Sequence, residues 1–494
     1  MFEVKVHSLS TRTRLLSFWL RRLLLFVFLA NAGNVHLRAQ GTEAVHMANG
    51  IKIGEVTATS AIIWTRLTRF PERNIAGTPF PTNVNDQRRS LDFDNLAEME
   101  GSVPGAPGEV SVSCWPAQDR TRQWSTEWQA VDVSKDFTCQ IQITDLLPGT
   151  EYSVVATGRP AGLADITCMV AGAFVTAPAA DTPARVRFTV VTGQEYPRRD
   201  DPTNGHKIYP TMRRLGLSFF VHTGDIEYYD KPGPYADNVE LARFKWNRIY
   251  AMPYQRAFHN RTASYFIKDD HDTLKNDSWP GQTYGDLTWE QGLELFREQV
   301  PMGEKTCRTI QWGKDLQIWL VEGRDFRSPN DMPDGPEKTI WGAEQKRWFF
   351  ESVKESNATF RILISPTPIV GPDRGTKNDN HANAGFKHEG DELRVFIGQQ
   401  KDMFVICGDR HWQYVSVDSV TGVREYSCGP TSDAHAGGFR EENRTARHRY
   451  LKIKGGFLFV EVDRVNGVPT ITFRHYGVDG SIYNEDIFSA AKQE

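Results

Sequence analysis

The stretch VHTGDIEYYD, residues 221–230, is the most informative part of this sequence, because a buried-looking apolar run ends in side chains that can bind metal. Two later segments repeat the arrangement, KDDHD at 268–272 and CGDRH at 407–411. The apolar runs SFFVHTG, ASYFIKDD and DMFVICGD that lead into them are typical of buried strands. Since chemistry in open α/β sheets gathers where strand ends give way to loops, we expect the three segments to converge. Their candidate site residues are Asp225, Tyr228, Asp269, Asp270, His271, Asp409 and His411.

Carboxylate oxygens mixed with imidazole nitrogens suit one or two metal ions that bind phosphate and activate water. Each segment alone has a simpler interpretation, since a Gly-Asp pair after a strand is commonly a turn or a helix cap. Asp409 and His411 carry more weight, because alternate residues of an extended segment face the same way. Three such segments at strand ends favour a metal site over coincidence.

Composition and charge are those of an ordinary globular protein. The 494 residues are enough for two or three domains with substantial cores. The formal charge of −4, from 58 basic and 62 acidic residues, indicates no nucleic-acid-binding patch. The six cysteines include no C-x-x-C pair, so zinc-finger and redox motifs are not indicated.

Residues 1–40 have the order of an export signal. Several arginines precede the apolar run LLLFVFLA at 23–30, and the small residues ANAG follow. The run is short for a bilayer span, and the sequence has no second run of that kind. We therefore expect an exported protein, periplasmic or extracellular, with no transmembrane span after the signal is removed.

The remaining chain divides into two regions. Residues 44–178 contain short strands and turns, such as FTCQIQITDL and TEYSVVATG, and predict a small β-sandwich. TAPAADTPA at 176–184 is a linker. In 185–494, strands alternate with helices, which predicts an α/β core with sheets covered by helices. The strands YVSVDSV, GFLFVEVDR and PTITFRHYG are expected to complete a second sheet. The predicted helices are YPTMRRLG, VELARFKWNRIYAM, TWEQGLELFREQV, GAEQKRWFFESVKES and EGDELRVFIGQQK.

Several motifs, in order along the chain, resemble the PhoD-like alkaline phosphatase/phosphodiesterase family of the calcineurin-like metallophosphoesterases. IKIGEVTATSAIIWTRL and DLLPGTEYSV are similar to the N-terminal sandwich of that family. GDIEYYD, KDDHDTLKND, GRDFRSPN, WGAEQKRWFFESVKES and CGDRH are similar to the motifs of its catalytic domain. Such a series is far more specific than any single motif. The resemblance implies an α/β fold, a metallophosphoesterase double β-sandwich flanked by helices, with a small N-terminal all-β sandwich domain.

The resemblance also implies roles for individual residues. Asp225 would bridge two metal ions and, with His271, would be catalytic. The implied metal ligands are Asp225, Tyr228, Asp270, Asp409, His411 and Asn276. Arg324, Arg327 and Arg410 are candidates for substrate binding by position, because a guanidinium group matches two phosphate oxygens.

The sequence departs from the family at Gly193, where a cysteine that ligates iron is expected. Gly193 has no side chain, so Gln194, Glu195 or a residue from elsewhere would have to replace that ligand. Cys407 is expected to be a core residue, and His381 a loop residue with satisfied hydrogen bonds. The expected cofactors are divalent or trivalent metal ions, with calcium first. Iron is in question because of Gly193, and zinc and manganese are alternatives.

The predicted function is that of an exported metal-dependent phosphoric ester hydrolase, a phosphomonoesterase or phosphodiesterase. Its substrate would be a small-molecule or polymeric phosphate ester, attacked by a metal-activated water while His271 assists the leaving group. One alternative, favoured by Gly193, is a degenerate metallophosphatase that acts as a non-catalytic surface binding protein. Another is hydrolysis of a different ester on the same scaffold. The retained Asp225, Tyr228, His271 and His411 argue against the binding protein.

Overall fold

Two β-sheets of nine and seven strands form the centre of the structure, a computed structural model that describes residues 44–81 and 93–490. In spatial order the first sheet contains β23 (Ile482–Ser489), β22 (Val468–Tyr476), β21 (Phe457–Val465), β9 (Val186–Val191), β10 (Phe219–His222), β11 (Ser264–Phe266), β1 (Ile51–Gly54), β2 (Ala61–Arg66) and β6 (Thr138–Ile143). The second contains β14 (Arg308–Trp312), β15 (Leu316–Leu320), β16 (Phe360–Ser365), β17 (Met403–Cys407), β19 (Arg424–Cys428), β18 (Gln413–Val417) and β20 (His448–Lys452).

The direction of the central strands explains why distant sequence segments meet. β9, β10 and β11 run parallel in the first sheet, and β15, β16 and β17 run parallel in the second. These strands are almost continuously apolar because both of their faces are covered. Side chains such as Phe188, Val221, Ile364 and Ile406 form one core between the sheets. The loops after β9, β10, β11 and β17 emerge beside one another, at the carboxyl ends of parallel strands.

Six helices of the described residues flank the sheets. They are α1 (Ile208–Arg213), α2 (Val239–Tyr250), α3 (Pro253–His259), α4 (Trp289–Gln299), α5 (Gly342–Glu355) and α6 (Lys387–Gly398). Only α3 was not predicted, since it follows α2 almost directly. The start of α4 shows how local sequence determines where a helix begins. Thr288 Oγ1 accepts from the Gln291 N–H, and Gln291 Oε1 accepts from the Thr288 N–H. α5 and α6 cover the outer face of the second sheet at Trp319, Leu363 and Val405.

Residues 44–178 contribute strands to two layers. A five-stranded sheet contains β3 (Glu109–Pro116), β4 (Trp124–Ser125), β5 (Gln129–Ala130), β7 (Glu151–Arg159) and β8 (Cys168–Val175). Its apolar side chains share one core with those of β1, β2 and β6. However, β1 pairs in parallel with β11, Gly54 opposite Ser264, so the second layer of this sandwich is part of the nine-stranded sheet. The described residues from Ala44 onward form one compact unit. The domain limits 44–178 and 185–494 remain a prediction.

The predicted fold class, an α/β double sandwich flanked by helices with an N-terminal all-β part, is confirmed. The late strands differ from the expectation of a single second sheet. β18 joins the seven-stranded sheet, whereas β21 pairs with β9, Leu458 opposite Val190, and carries β22 with it. Periodicity identifies a strand and does not identify its partner, which explains the difference.

Two further features concern the membrane and the cysteines. The export signal predicted over 1–40 lies outside the described residues. No helix within 44–81 and 93–490 has the length and apolar character that crossing a membrane requires. All six cysteines are unpaired.

Candidate metal centre

The segment after β10 turns sharply at Gly224 and Asp225. Gly224 has φ +101°, and a Cβ there would lie 2.6 Å from the backbone nitrogen of Asp269, so glycine alone permits this close approach. Asp225 has φ +55°, and Asp409, after β17, has φ +60°. This left-handed conformation costs a non-glycine residue energy, and such strain clusters at functional sites.

Buried carboxylates from the three predicted segments converge. Donor atoms of Asp225, Asp270 and His271 lie within 4.8 Å of one another, and so do those of Asp225, Asp269 and Asp409. Asp225 belongs to both groups, as a ligand shared by two ions would. Within the described part of the chain, Asp225 Oδ1, Asp269 Oδ2 and Asp270 Oδ1 are buried without a hydrogen-bond partner. Because a buried carboxylate oxygen without a hydrogen bond is costly, these oxygens fit a bound cation.

Tyr228 and His411 place a phenol and an imidazole beside Asp225. The Tyr228 hydroxyl donates to Asp225 Oδ2 at 2.9 Å, and its oxygen lies 3.0 Å from His411 Nε2. His411 Nε2 lies 3.6 Å from the same Asp225 oxygen. Burial and the Asp225 carboxylate raise the pKa of Tyr228 well above its usual range. Ionisation of this phenol therefore needs a cation beside it.

His271 packs against Tyr228, with ring centroids 4.3 Å apart. Its Nδ1 lies 2.6 Å from Asp230 Oδ1, which orients the ring and leaves Nε2 unused by that contact. Burial alone would lower the pKa of His271, but the carboxylates of Asp270, Asp225 and Asp230 outweigh it and raise the pKa to about 10. Cations bound to those carboxylates would lower the pKa again. With its ring oriented by Asp230, His271 has Nε2 available to accept or donate a proton.

These residues belong to a cleft of about 450 Å³. Of the predicted site residues, those that line it are Asp225, Tyr228, His271, Asn276, Asp409 and His411. Asn276 is exposed, and its backbone N–H donates to Asp230 Oδ2 at 3.0 Å. Asp269 and Asp270 are buried behind the lining.

The three arginines predicted to bind substrate do not line the cleft. Each is buried and holds a polar group of the protein instead. Arg324 Nη2 lies 2.6 Å from Asp269 Oδ1 and 3.7 Å from Asp270 Oδ1. Arg327 donates to the Asp379 carbonyl oxygen, and Arg410 forms ion pairs with Asp373 and Asp409. The basic side chains that do line the cleft are Arg198, Lys231, Arg374 and Lys377. The position of an arginine relative to a motif does not reveal which way its guanidinium group faces. For this reason the predicted arginines differ from those that line the cleft.

The residues after β9 show what surrounds Gly193. Gln194 is buried, and its Oε1 accepts from the Tyr209 hydroxyl, away from the lining of the cleft. Glu195 lines the cleft, where its carboxylate pairs with Arg198 at 2.8 Å. Cys407 is buried within an apolar cluster and does not line the cleft.

His381 is a buried loop residue outside the cleft. Its Nε2 lies 2.9 Å from Glu389 Oε2, on α6. The Glu389 carboxylate also accepts from the Ile340 N–H at 2.6 Å. Glu389 therefore connects the His381 loop to the residues before α5, and only one of the two expected hydrogen bonds of His381 is made, since its Nδ1 is buried without a partner.

A buried ionic cluster supports the segment after β11. Lys268 Nζ lies 2.6 Å from Glu322 Oε2 and 2.7 Å from Asp325 Oδ1. Burial would lower the pKa of Lys268, but the two carboxylates raise it, so the ammonium stays charged. Burial raises the pKa of Glu322 to about 7, whereas Lys268 holds the pKa of Asp325 below its usual range against burial. Asp325 therefore keeps its negative charge to lower pH than Glu322 does.

Lys268→Met is expected to destabilise the protein by about 3–5 kcal/mol, because a buried carboxylate loses its counter-charge. Urea unfolding measures the loss. The matched control is Lys346→Met, which removes a more exposed ammonium that lies 2.6 Å from Glu392, and about 1 kcal/mol or less is expected there. Equal losses in the two variants would show that burial does not strengthen the Lys268 cluster.

Some residues of the candidate site were not predicted. Asp230 and Asp272 lie inside the quoted motifs, and Asp272 joins the two turns by accepting from the N–H groups of Ile226 at 3.1 Å and Asp269 at 2.7 Å. His435 lines the cleft from the loop after β19. That loop follows no predicted strand, so only its histidine was a signal.

Three comparisons place this geometry among known proteins. The profile of the PhoD-like phosphatase family matches residues 188–468. The solved structure of PhoD is similar with a TM-score of 0.70 at 14% identity, covering 93% of this chain and 92% of that chain. Purple acid phosphatase PPD1 from yellow lupin (Lupinus luteus) seeds is similar with a TM-score of 0.62 at 12% identity, covering 89% and 74%. These two likenesses show a shared fold, and nothing among curated protein sequences matches significantly. Because the family profile spans more than half of the sequence, the chain belongs to the PhoD-like phosphatase family.

Proposed function

We propose that the protein is a metal-dependent phosphoric ester hydrolase, a phosphomonoesterase or phosphodiesterase, that acts outside the cytoplasm with a metal-activated water. Family membership supports phosphoester hydrolysis in general. The observation that carries the metal is the pair of ligand groups that share Asp225. The proposed location depends on the signal-like residues 1–40.

The proposed metal ligands are Asp225, Tyr228, Asp270, Asp409, His411 and Asn276, and Asp269 is a further carboxylate donor of the second group. Bound ions would neutralise phosphate oxygens and supply a hydroxide at neutral pH by lowering the pKa of water. Carboxylate and amide oxygens suit calcium, while phenol and imidazole suit iron, zinc or manganese. The ligand atoms of this site include both oxygens and nitrogens. Such a set can hold two ions of the same element or two ions of different elements.

The protein's own groups hold the reactants. Arg324 fixes the Asp269 carboxylate from behind, so its position does not depend on substrate. Asp230 orients His271, which we place as the proton donor to the leaving oxygen. Lys231 and Arg374 line the same cleft, and their positive charges attract and orient a phosphate ester.

Dialysis of the protein against a chelator is expected to abolish hydrolysis of p-nitrophenyl phosphate and bis(p-nitrophenyl) phosphate, since water is a poor nucleophile without a metal. Adding back calcium, iron, zinc or manganese singly should restore it with the correct ion. The ratio of the two rates separates monoesterase from diesterase. Full activity after verified removal of all metal would contradict the proposal, and metal-loaded protein that hydrolyses neither ester would favour the binding protein.

A further inference from the structure

His435 is an imidazole of the cleft wall that lies outside the ligand set above. It ends the short helical turn Asp433–His435 after β19 and is only 3% exposed. Its ring centroid lies 4.2 Å from that of His411 and 5.2 Å from that of Tyr228. Two imidazoles and a phenol therefore stand side by side on this wall.

The hydrogen bonding of His435 determines which of its nitrogens is available. Nδ1 lies 3.1 Å from the Gly193 carbonyl oxygen. A carbonyl can only accept, so Nδ1 carries the proton and Nε2 is the nitrogen left for another contact. Metal-ligating histidines characteristically donate their other ring N–H to a backbone carbonyl or a carboxylate. His271 has the same arrangement, with Asp230 as the acceptor.

A carboxylate faces the available nitrogen. Glu195 Oε2 lies 3.8 Å from His435 Nε2, and Arg198 Nε holds the same oxygen at 2.8 Å. Metal–ligand distances of about 2.0–2.2 Å place neighbouring donors about 3–3.5 Å apart. A small side-chain movement would bring both groups onto one ion.

Gly193, the backbone neighbour of these rings, has no side chain that could occupy the space beside them. Gly193 has φ +56°, and a Cβ there would lie 3.2 Å from two ring atoms of His411. A side chain at position 193 would therefore require the His411 ring to shift by a few tenths of an ångström. Gly193 instead brings its carbonyl oxygen to His435 and leaves the space to imidazole.

We propose that His435 Nε2 is a metal ligand of this chain, on the Glu195 and His411 side of the cleft, where Gly193 supplies no donor. The proposal deepens the proposed function and rests on it, because it adds a nitrogen to the same centre. A second imidazole makes this side of the centre favour zinc, manganese or iron over calcium, which prefers oxygen ligands.

His435→Asn tests the proposal, because the asparagine amide can still donate to the Gly193 carbonyl but nothing replaces Nε2. Elemental analysis should show less bound metal, and competition with a chelator should show at least a tenfold weaker affinity for added Zn²⁺. The matched control is His448→Asn. His448 is 4% exposed on β20 and outside the cleft, and its Nδ1 accepts from the Thr445 N–H at 3.0 Å, which an asparagine oxygen can also do. That control should keep the metal content and Zn²⁺ affinity of the wild type.

Thermal unfolding of the metal-free proteins shows whether the Asn variant keeps the fold. If the Asn variant is destabilised, His435→Gln tests whether position 435 provides a metal ligand. The glutamine amide oxygen reaches the Nε2 position, while the contact to Gly193 is lost. Partial return of Zn²⁺ affinity would support a ligand, and a loss equal to that of the Asn variant would overturn it. Wild-type metal content and affinity in His435→Asn would also overturn it and leave the proposed function standing. Wild-type protein that binds no metal would overturn both.

Discussion

Asp225→Asn is expected to lower kcat/KM for phosphate esters by about 10³-fold or more and to remove bound metal. Asp225 is the one carboxylate that both candidate ligand groups share. Loss of its charge would weaken the binding of both ions. The charge stabilisation that the ions supply to the transition state is worth several kcal/mol, and about 1.36 kcal/mol corresponds to a factor of ten in rate. Steady-state kinetics and elemental analysis on the same sample measure the two effects.

A matched control separates this effect from general loss of charge. Asp286→Asn changes an exposed aspartate between β12 (Thr283–Tyr284) and β13 (Leu287–Thr288), outside the cleft. We expect wild-type kinetics and metal content there. Thermal unfolding should show that both variants are folded. Normal turnover with full metal content in Asp225→Asn would rule out its assignment as the shared ligand.

His271→Asn is expected to lower kcat by about 10²–10⁴-fold for esters with a poor leaving group. The asparagine amide can keep the contact to Asp230 that Nδ1 makes, while the proton carried on Nε2 is lost. Esters that release p-nitrophenolate need little protonation, so a much smaller loss is expected for them. Rates over a series of leaving groups measure the difference.

Asp230→Asn is the companion variant, because an asparagine oxygen can still accept from His271 Nδ1 without carrying a charge. Its effect should be smaller than that of His271→Asn and should show the same dependence on the leaving group. An equal loss for good and poor leaving groups in His271→Asn would mean that the imidazole is not the proton donor. It would then act mainly as a ligand or through packing.

The sequence predicted the parts of this structure that depend on local pattern. A buried parallel strand ends within or just before each of the segments VHTGDIEYYD, KDDHD and CGDRH. The positions of Asp225, His271 and Asp409 at one edge of the sheets therefore follow from chain topology. The TWEQ start of α4 and the continuous apolar runs of β10 and β17 are equally local signals. Family motifs then indicated which sheet architecture joins them.

Features that depend on long-range contacts could not be predicted. Arg324 and Arg410 stand beside site motifs, yet each side chain turns inward to a buried aspartate, because an unpaired buried carboxylate would cost more than an exposed arginine gains. His435 reaches the cleft from a loop that contacts Gly193, 242 positions earlier in the chain. The pairing of β21 with β9 likewise joins segments that no local pattern relates.

Elemental analysis of the purified wild-type chain beside Asp225→Asn tests the proposed metal centre most directly. A shared ligand predicts two metal ions for each wild-type chain and a clear reduction in the variant, with both proteins folded. The identity of the ions would show how far the imidazoles of this chain influence the choice of metal. Wild-type protein that holds no metal after reconstitution, or equal metal content in the two proteins, would contradict the centre.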